Sequence, residues 1–349
     1  MEDADLMHAR TWRGWAACAL LCLALPLAAR AEDGFLLRDE GITALAPADL
    51  RERPAKFAFP PGERLTYRIA ALGLPVGTAR LEVARWIRWG GRRIAHVVAT
   101  GDTSKGFSLF YPVHDRMEAW IDVDTLRTVR TATWTRHGRH KESLEFSQFD
   151  WEAHFVERVE EERHRHRLRE TGADLGPDAL DPFEAFYAAR SIPLAPGART
   201  RLPVVSSRKI YELVLEVDRA DRIEWQGAPV DTWVVKPSSR LDGEPMGNGL
   251  GELRVGLAAR QAPLRLDGWF ETTGGFRILG VRARLVEYEP GDPAWPAAEA
   301  VPRSDPAFEV VTEEGRPQWT VPTRVAAVRR ERGLAPYSRK SPLDEPRFR

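Results

Sequence analysis

Between residues 62 and 289 apolar side chains recur at every second position in run after run, a period that suits strands burying one face and not amphipathic helices. Leu65, Tyr67 and Ile69 alternate with Arg64, Thr66 and Arg68. Tyr211, Leu213, Leu215 and Val217 alternate with Ile210, Glu212, Val214 and Glu216, and Leu253, Val255 and Leu257 with Glu252, Arg254 and Gly256. Leu279, Val281 and Leu285 sit opposite Ile278, Arg282 and Arg284. Between the runs stand Gly90-Gly91, Asp122-Val123-Asp124, His137-Gly138, Gly227, Asp242-Gly243 and Gly274-Gly275. These residues accept tight or left-handed backbone, so antiparallel hairpins are the expected connection. The expected fold class is all-β and mainly antiparallel, a curved sheet, open barrel or sandwich with one short helix on it.

That helix is specific. Asp181 can cap it, Pro182 suits its first position, and Phe183, Phe186, Tyr187 and Arg190 follow at helical spacing before Pro193 stops it. Its aromatic face should pack on the sheet. Trp151 to Glu170 carries helix-favouring Glu and Arg, but Arg163, Arg165 and Arg167 alternate with His164 and His166, which reads as a long, polar hairpin strand.

The ends have different textures. Arg10 and Arg13, an apolar run from Trp15 to Leu27 and the small-residue site Ala29-Arg30-Ala31 have the layout of a secretory signal peptide over residues 1–31, cut after Ala31. Glu2, Asp3 and Asp5 suit such a peptide badly and make Met7 an alternative start. The run is shorter than the roughly 20 residues a membrane span needs, and no later stretch is apolar enough. The expectation is a periplasmic or secreted chain with no integral span once processed. Both cysteines, Cys18 and Cys22, fall inside this peptide, so the processed chain lacks disulfides, thiolate metal sites and cysteine nucleophiles. Residues 32–56 read as an extended leader, and 57–289 as a β-rich body, a single domain or two β halves joined near 171–196. Residues 290–349 hold prolines too densely for a packed element and read as a largely disordered tail.

Charge excludes a class of partner. The chain carries 51 basic and 51 acidic residues. Removing residues 1–31 takes away Arg10, Arg13 and Arg30 with Glu2, Asp3 and Asp5, leaving the balance at zero. No global field steers a polyanion to it, and nucleic acid is not expected.

With its segments laid out, the chain resembles the exported bacterial family that carries the domain-of-unknown-function label 3108. Pro61-Gly62-Glu63-Arg64-Leu65-Thr66-Tyr67 followed by Gly77-Thr78-Ala79 is similar to the family's opening strands. Asp115 with Ile121-Asp122 and Thr125-Leu126 resembles its central hairpin, and Asp181-Pro182 with Tyr187 and Arg190 its helix. Leu253-Arg254-Val255 and Pro263-Leu264-Arg265 resemble its closing strands, between which the family usually places an aromatic and an aspartate; here Gly256 and Ala259-Arg260 stand there. The resemblance, over about Phe59 to Glu289, implies an exported β-sheet protein with no settled activity and supplies no catalytic residues.

Chemistry-bearing clusters are weak. His137 with His140, and His164 with His166, invite a metal, but Arg139, Arg163, Arg165 and Arg167 crowd them with fixed positive charge, and no metal site is assigned. The arginine alternation from 163 to 169 could hold phosphate or carboxylate groups; Glu160, Glu161, Glu162 and Glu170 flank it, and a solvated face is the better reading. Ser108 near His114 and Asp115 lacks a nucleophile elbow. Gly247-Asn248-Gly249-Leu250-Gly251 precedes a strand and reads as a loop, not a phosphate cradle. No catalytic residue and no cofactor are assigned.

The candidate ligand-binding residues are Trp120, Arg116, Trp134, Tyr187 and Arg190. Trp120 shares a strand face with Arg116, Glu118 and Asp122, where an amphipathic ring suits a groove wall, although a cross-strand surface pair is the commoner outcome. The expected function is a non-enzymatic envelope binding protein with an apolar groove for a lipidic or extended peptide ligand. One alternative is an envelope-polymer hydrolase or transferase using Asp115, Glu118 and Asp122; the other is a scaffold that binds envelope proteins through its tail.

Overall fold

A computed structural model describes residues 42–44, 60–89, 92–138, 141–162, 167–206, 209–245, 250–256, 259–271, 277–291, 330–331 and 333. The residues expected to form the signal peptide, most of the leader and nearly all of the tail lie outside them, as do Gly90-Gly91, His140, His164, His166 and Gly274-Gly275.

The chain forms two meanders. The first comprises β2 (Glu63–Ala71), β3 (Leu74–Trp89), β4 (Arg92–Thr103), β5 (Val113–Asp122), β6 (Arg127–His137), β7 (Lys141–Asp150), β8 (Phe155–Glu162) and β9 (Arg167–Asp174). The second comprises β10 (Arg199–Ser206), β11 (Lys209–Trp225), β12 (Ala228–Leu241), β13 (Glu244–Pro245), β14 (Leu250–Val255), β15 (Pro263–Glu271) and β16 (Arg277–Pro290). A short helix, α1 (Lys105–Ser108), lies between β4 and β5; the longer α2 (Pro182–Ala189) links the meanders, and β1 (Ile42–Ala44) adds an edge. The last strand of the second meander pairs with the first of the other, Leu285 opposite Tyr67 and Pro290 opposite Glu63. One sheet results, in the order β1-β10-β11-β12-β14-β15-β16-β2-β3-β4-β5-β6-β7-β8-β9 with β13 on β12. Apart from the parallel β1–β10 contact, its pairings are antiparallel.

The turns follow from residues that tolerate positive φ. Gln226-Gly227 (51° and 78°) turns β11 into β12, and Asp242-Gly243 (54° and 85°) turns β12 into β13. Register shifts at Val83/Arg85, Trp120/Ile121, Val217/Arg219 and Leu285/Glu287 insert extra residues that bend strands and increase their twist. The ambiguous stretch from Trp151 is two strands rather than one long one, the β8–β9 hairpin with Val159 opposite Glu170.

The curved sheet is an open barrel. Among the described residues β9 and β10 do not pair, and the connecting chain spans the gap. Leu175 N donates to His154 O, Leu180 N to Pro203 O, and Val205 N to Leu180 O. Phe149, Val156, Leu175, Ala179 and Val205 pack across that gap.

The alternation puts Leu65, Tyr67, Leu81, Val83, Val97, Ala119 and Ile121 on the concave face, where Phe183, Phe186 and Tyr187 of α2 pack on them. Ala185 and Ala188 meet Leu202, Val204, Leu215 and Val235 of the other meander. A helix buried around most of its girth cannot be amphipathic, and Phe183 to Ala188 are all buried. Its start is fixed by a capping box. The Asp181 carboxylate accepts from Phe183 N (2.6 Å) and Glu184 N (3.4 Å), while Glu184 accepts from Asp181 N (2.9 Å) and from Thr128 N of β6. Arg127 then donates to Ala179 O and Pro177 O at 2.7 and 2.6 Å, anchoring the approach to the helix.

Gly77 shows why a motif glycine is needed. A Cβ there would lie 2.2 Å from the Asp102 carbonyl oxygen on the paired strand. Gly77→Ala should therefore force β3 from β4 and cost about 1–3 kcal/mol, read as a lower urea midpoint; an unchanged midpoint would refute the close approach.

Candidate ligand-binding site

Along β10–β12, β14 and β15 the inward positions are branched aliphatics, because each strand buries this face against α2. The helix does not fill the space completely. It presents Ala185 and Ala189, one turn apart, where larger side chains would touch the sheet. The result is a cavity of about 80 Å³ walled by Ala185, Phe186 and Ala189 on the helix side and by Val204, Leu213, Leu215, Val235, Pro237, Leu253, Val255 and Leu266 on the sheet side.

Two polar residues, Arg190 and Gln261, reach this wall, and the protein satisfies both. Arg190 Nη1 and Nη2 each donate to a different oxygen of Glu63 at 2.7 Å, and Nε donates to Arg260 O at 3.2 Å. Tyr187 and Tyr288 hydroxyls donate to Glu63 at 3.3 and 3.5 Å. The guanidinium lies 5.1 Å from the Tyr187 ring centre and 5.6 Å from that of Phe186. Burial works against the Arg190 charge, but the hydrogen bonds it donates to Glu63 and the attraction of that carboxylate outweigh it and raise its pKa. Burial, then the Glu63 charge, raises Tyr187 well above a phenol's usual range. The Gln261 amide, with its nitrogen turned to the helix, donates to Arg190 O (2.8 Å) and Ile192 O (3.2 Å), occupying carbonyls that the helix end leaves free. The cavity therefore offers hydrocarbon and little else.

Two of the five candidate residues, Tyr187 and Arg190, stand inside the concavity; the other three do not join them. Trp120, Arg116 and Trp134 project from the opposite face of β5 and β6. Trp120 stacks on His96, ring centres 4.9 Å apart and planes 8° from parallel. His96 Nε2 meets Glu118 Oε2 at 2.6 Å, and Arg116 Nε donates to Glu118 Oε1 at 2.7 Å. Burial pushes the Glu118 pKa up, but His96 and Arg116 bring it below the usual range. Trp134 Nε1 donates to Glu142, and both tryptophans pack with Phe146 on Ala132 and Leu144. This is a cross-strand surface cluster, tied up by its own partners.

The remaining clusters are dispersed. Asp115 faces inward and is bound by His137 Nε2 at 2.8 and 3.0 Å, Glu118 faces outward, and Asp122 accepts from Asp124 N and Thr125 N in the turn. Three carboxylates so placed do not form an acid–base pair. Ser108 Oγ donates to Lys105 O, while His114 pairs with Asp102, so neither serves the other. On the inward face of β6–β8, Thr133, Glu145 and Glu160 lie in one polar row of the register. Arg158 holds Glu145 at 2.9 Å, and burial, offset in part by Arg158, raises the Glu145 pKa. Sequence reasoning missed Glu63 and the alanine pair. The signal for the second was present, two small residues four apart on a helix that also carries Phe183, Phe186 and Tyr187.

Residues 64–277, more than half of the chain, match the model of the family described as protein of unknown function DUF3108. No curated protein matches the chain in sequence. Among solved structures, a β-barrel-like protein of domain-of-unknown-function family DUF1849 from Brucella abortus aligns at 9% identity and TM-score 0.34, covering 65% of this chain and 97% of that one. A candidate exported protein with a YmcC-like fold from Bacteroides fragilis aligns at 8% identity and TM-score 0.28, covering 66% and 96%. Alignments this loose carry no argument about ligand or compartment.

Proposed function

We propose, for a chain that belongs to the DUF3108 family of proteins of unknown function, that the cavity beneath α2 binds the hydrocarbon part of a lipidic ligand and that the protein is a non-enzymatic binding protein of the bacterial envelope. The carrying observation is the cavity, about 80 Å³ with an almost wholly apolar wall. That is well above the roughly 10–15 Å³ one water needs, and an apolar void of this kind stays dry or takes an apolar guest. An extended peptide is the poorer occupant. It brings an N–H and a C=O per residue that need partners, whereas the wall strands spend theirs on each other and Arg190 and Gln261 are committed. Each methylene moved from water into the cavity contributes about 0.8 kcal/mol, so affinity should rise with chain length. Export, read from residues 1–31, would put the protein where such ligands are handled.

Fluorescence titration with cis-parinaric acid tests this reading. The wild-type chain should bind saturably, and Leu213→Trp or Ala189→Leu, which fill the cavity, should weaken binding at least tenfold. Trp120→Ala, on the other face, should bind as wild type. Absence of saturable binding, or equal binding by the filled variants, would refute the reading.

A further inference from the structure

Among the described residues, large apolar side chains left in water are concentrated at one place. Leu72 and Leu74 flank the β2–β3 turn, and Phe107, Leu109, Phe110 and Tyr111 follow one another through α1 and the loop into β5. Phe110 is 86% exposed and Leu109 75%. Ser104 N donates to Val76 O, which holds the two loops side by side. They sit at the end of β2 remote from Glu63, and so away from the ion pair that receives α2. A cluster of exposed apolar knobs on two adjoining turns marks a contact surface.

Charge decides what the surface meets. Residues 70–76 and 103–113 contain no carboxylate, and Lys105 is their one charged residue. The neighbouring Asp102 is paired with His114 at 2.8 Å. Behind the knobs, on the convex face, Arg68 and Arg284 stand directly opposite each other on β2 and β16. Facing like charges are unfavourable across a strand pair, and among the described residues no carboxylate pairs with either. Arg80 is exposed two rungs away on β3. A convex tip of Leu, Phe and Tyr backed by arginines with no ion-pair partner among the described residues, Glu287 in the next same-face pair of the register being bonded by Thr66, matches the headgroup boundary of an anionic bilayer, where rings and aliphatic tips enter and cations meet phosphates. A second copy would need a concave apolar surface to receive the knobs, and the apolar hollow of this chain is roofed by α2.

We infer that the tip formed by Leu72, Leu74 and residues 107–111 docks the protein on an anionic phospholipid surface, with Arg68 and Arg284 contacting lipid phosphates. The docking is independent of what the cavity holds.

Flotation of the processed full-length chain with vesicles of phosphatidylethanolamine and phosphatidylglycerol, against phosphatidylcholine alone, tests it. Wild type should float with the anionic vesicles, less so as salt rises. The triple variant Phe107→Ser, Leu109→Ser, Phe110→Ser should lose binding at least tenfold with an unchanged melting temperature, since all three side chains are exposed. Arg68→Gln with Arg284→Gln should abolish the preference for anionic lipid. Leu213→Trp should float as wild type, which separates this surface from the cavity. Failure of wild type to float, or full flotation of the triple variant, would overturn the inference; so would a dimer that the triple variant dissociates, because a second copy would then cover the knobs.

Discussion

Arg190→Met should lower the unfolding free energy by about 3–5 kcal/mol, the usual cost of breaking a buried ion pair from one side. Glu63 and Arg190 are 1% and 2% exposed, so removing the guanidinium leaves a carboxylate in the core with the Tyr187 and Tyr288 hydroxyls as its remaining side-chain donors. Tyr67, whose hydroxyl has no hydrogen-bond partner among the described residues, lies close enough for both charges to act on it and cannot relieve the deficit without moving. The pair locks the C-terminal end of α2 to the first residue of β2, so the loss should also loosen the helix. Glu63→Leu combined with Arg190→Met removes both charges and should recover most of the loss, since an apolar pair of similar volume carries no desolvation cost. Urea unfolding followed by tryptophan fluorescence measures both variants. A single substitution costing under about 1 kcal/mol, or a double as unstable as the single, would contradict the account.

The stability of this protein should fall as pH rises from about 5 to 8, opposite to the trend set by ion-paired carboxylates. Burial raises Asp181 from 3.8 to about 7. Burial, then the Asp181 charge, raises Glu184 well above its usual range. In the unfolded chain both ionise near pH 4. The folded state therefore holds more protons across the interval from about 4 to 7. The stabilisation is complete below it and is lost as pH climbs through the folded values, at up to about 1.4 kcal/mol per pH unit for each proton. Asp181→Asn keeps an acceptor for the Phe183 and Glu184 amides but removes one acid of the pair, and should flatten the profile. Melting temperatures at pH 5, 6, 7 and 8 for both proteins decide it: a flat wild-type profile, or the same slope in the variant, would remove the pair from consideration. Glu118, held low by His96 and Arg116, acts in the opposite sense and below this window.

Much of the fold was legible because strands and caps are local. The alternation at Leu65, Tyr67 and Ile69 assigns a face without reference to any other strand, and Asp181-Pro182 announces a helix start within two residues. The concavity was less legible. Trp120 and Tyr187 look equally plausible as groove aromatics in sequence, but one lies on the convex face and the other under the helix, because the direction in which a sheet curves depends on bulges such as that at Trp120/Ile121. Glu63 was unreadable as a partner of Arg190 because 127 positions separate them. The cavity depends on two alanines facing strands 15 to 80 residues downstream, a shape created by what is missing and so without a signature in any one segment.

The pairing of β16 with β2 sets the order in which this molecule can be completed. Its contacts, such as Tyr67 with Leu285, close a loop of more than two hundred residues, and non-local closures of that kind slow folding. As the polypeptide emerges from its amino end, the first meander can zip up hairpin by hairpin, yet β2 keeps a bare flank until the last strand arrives. Any chain cut short before Arg277 would present that flank, and the matching one on β15, to other molecules. The architecture thus makes premature termination an aggregation hazard and gives the cell a reason to keep the nascent polypeptide shielded until synthesis has finished.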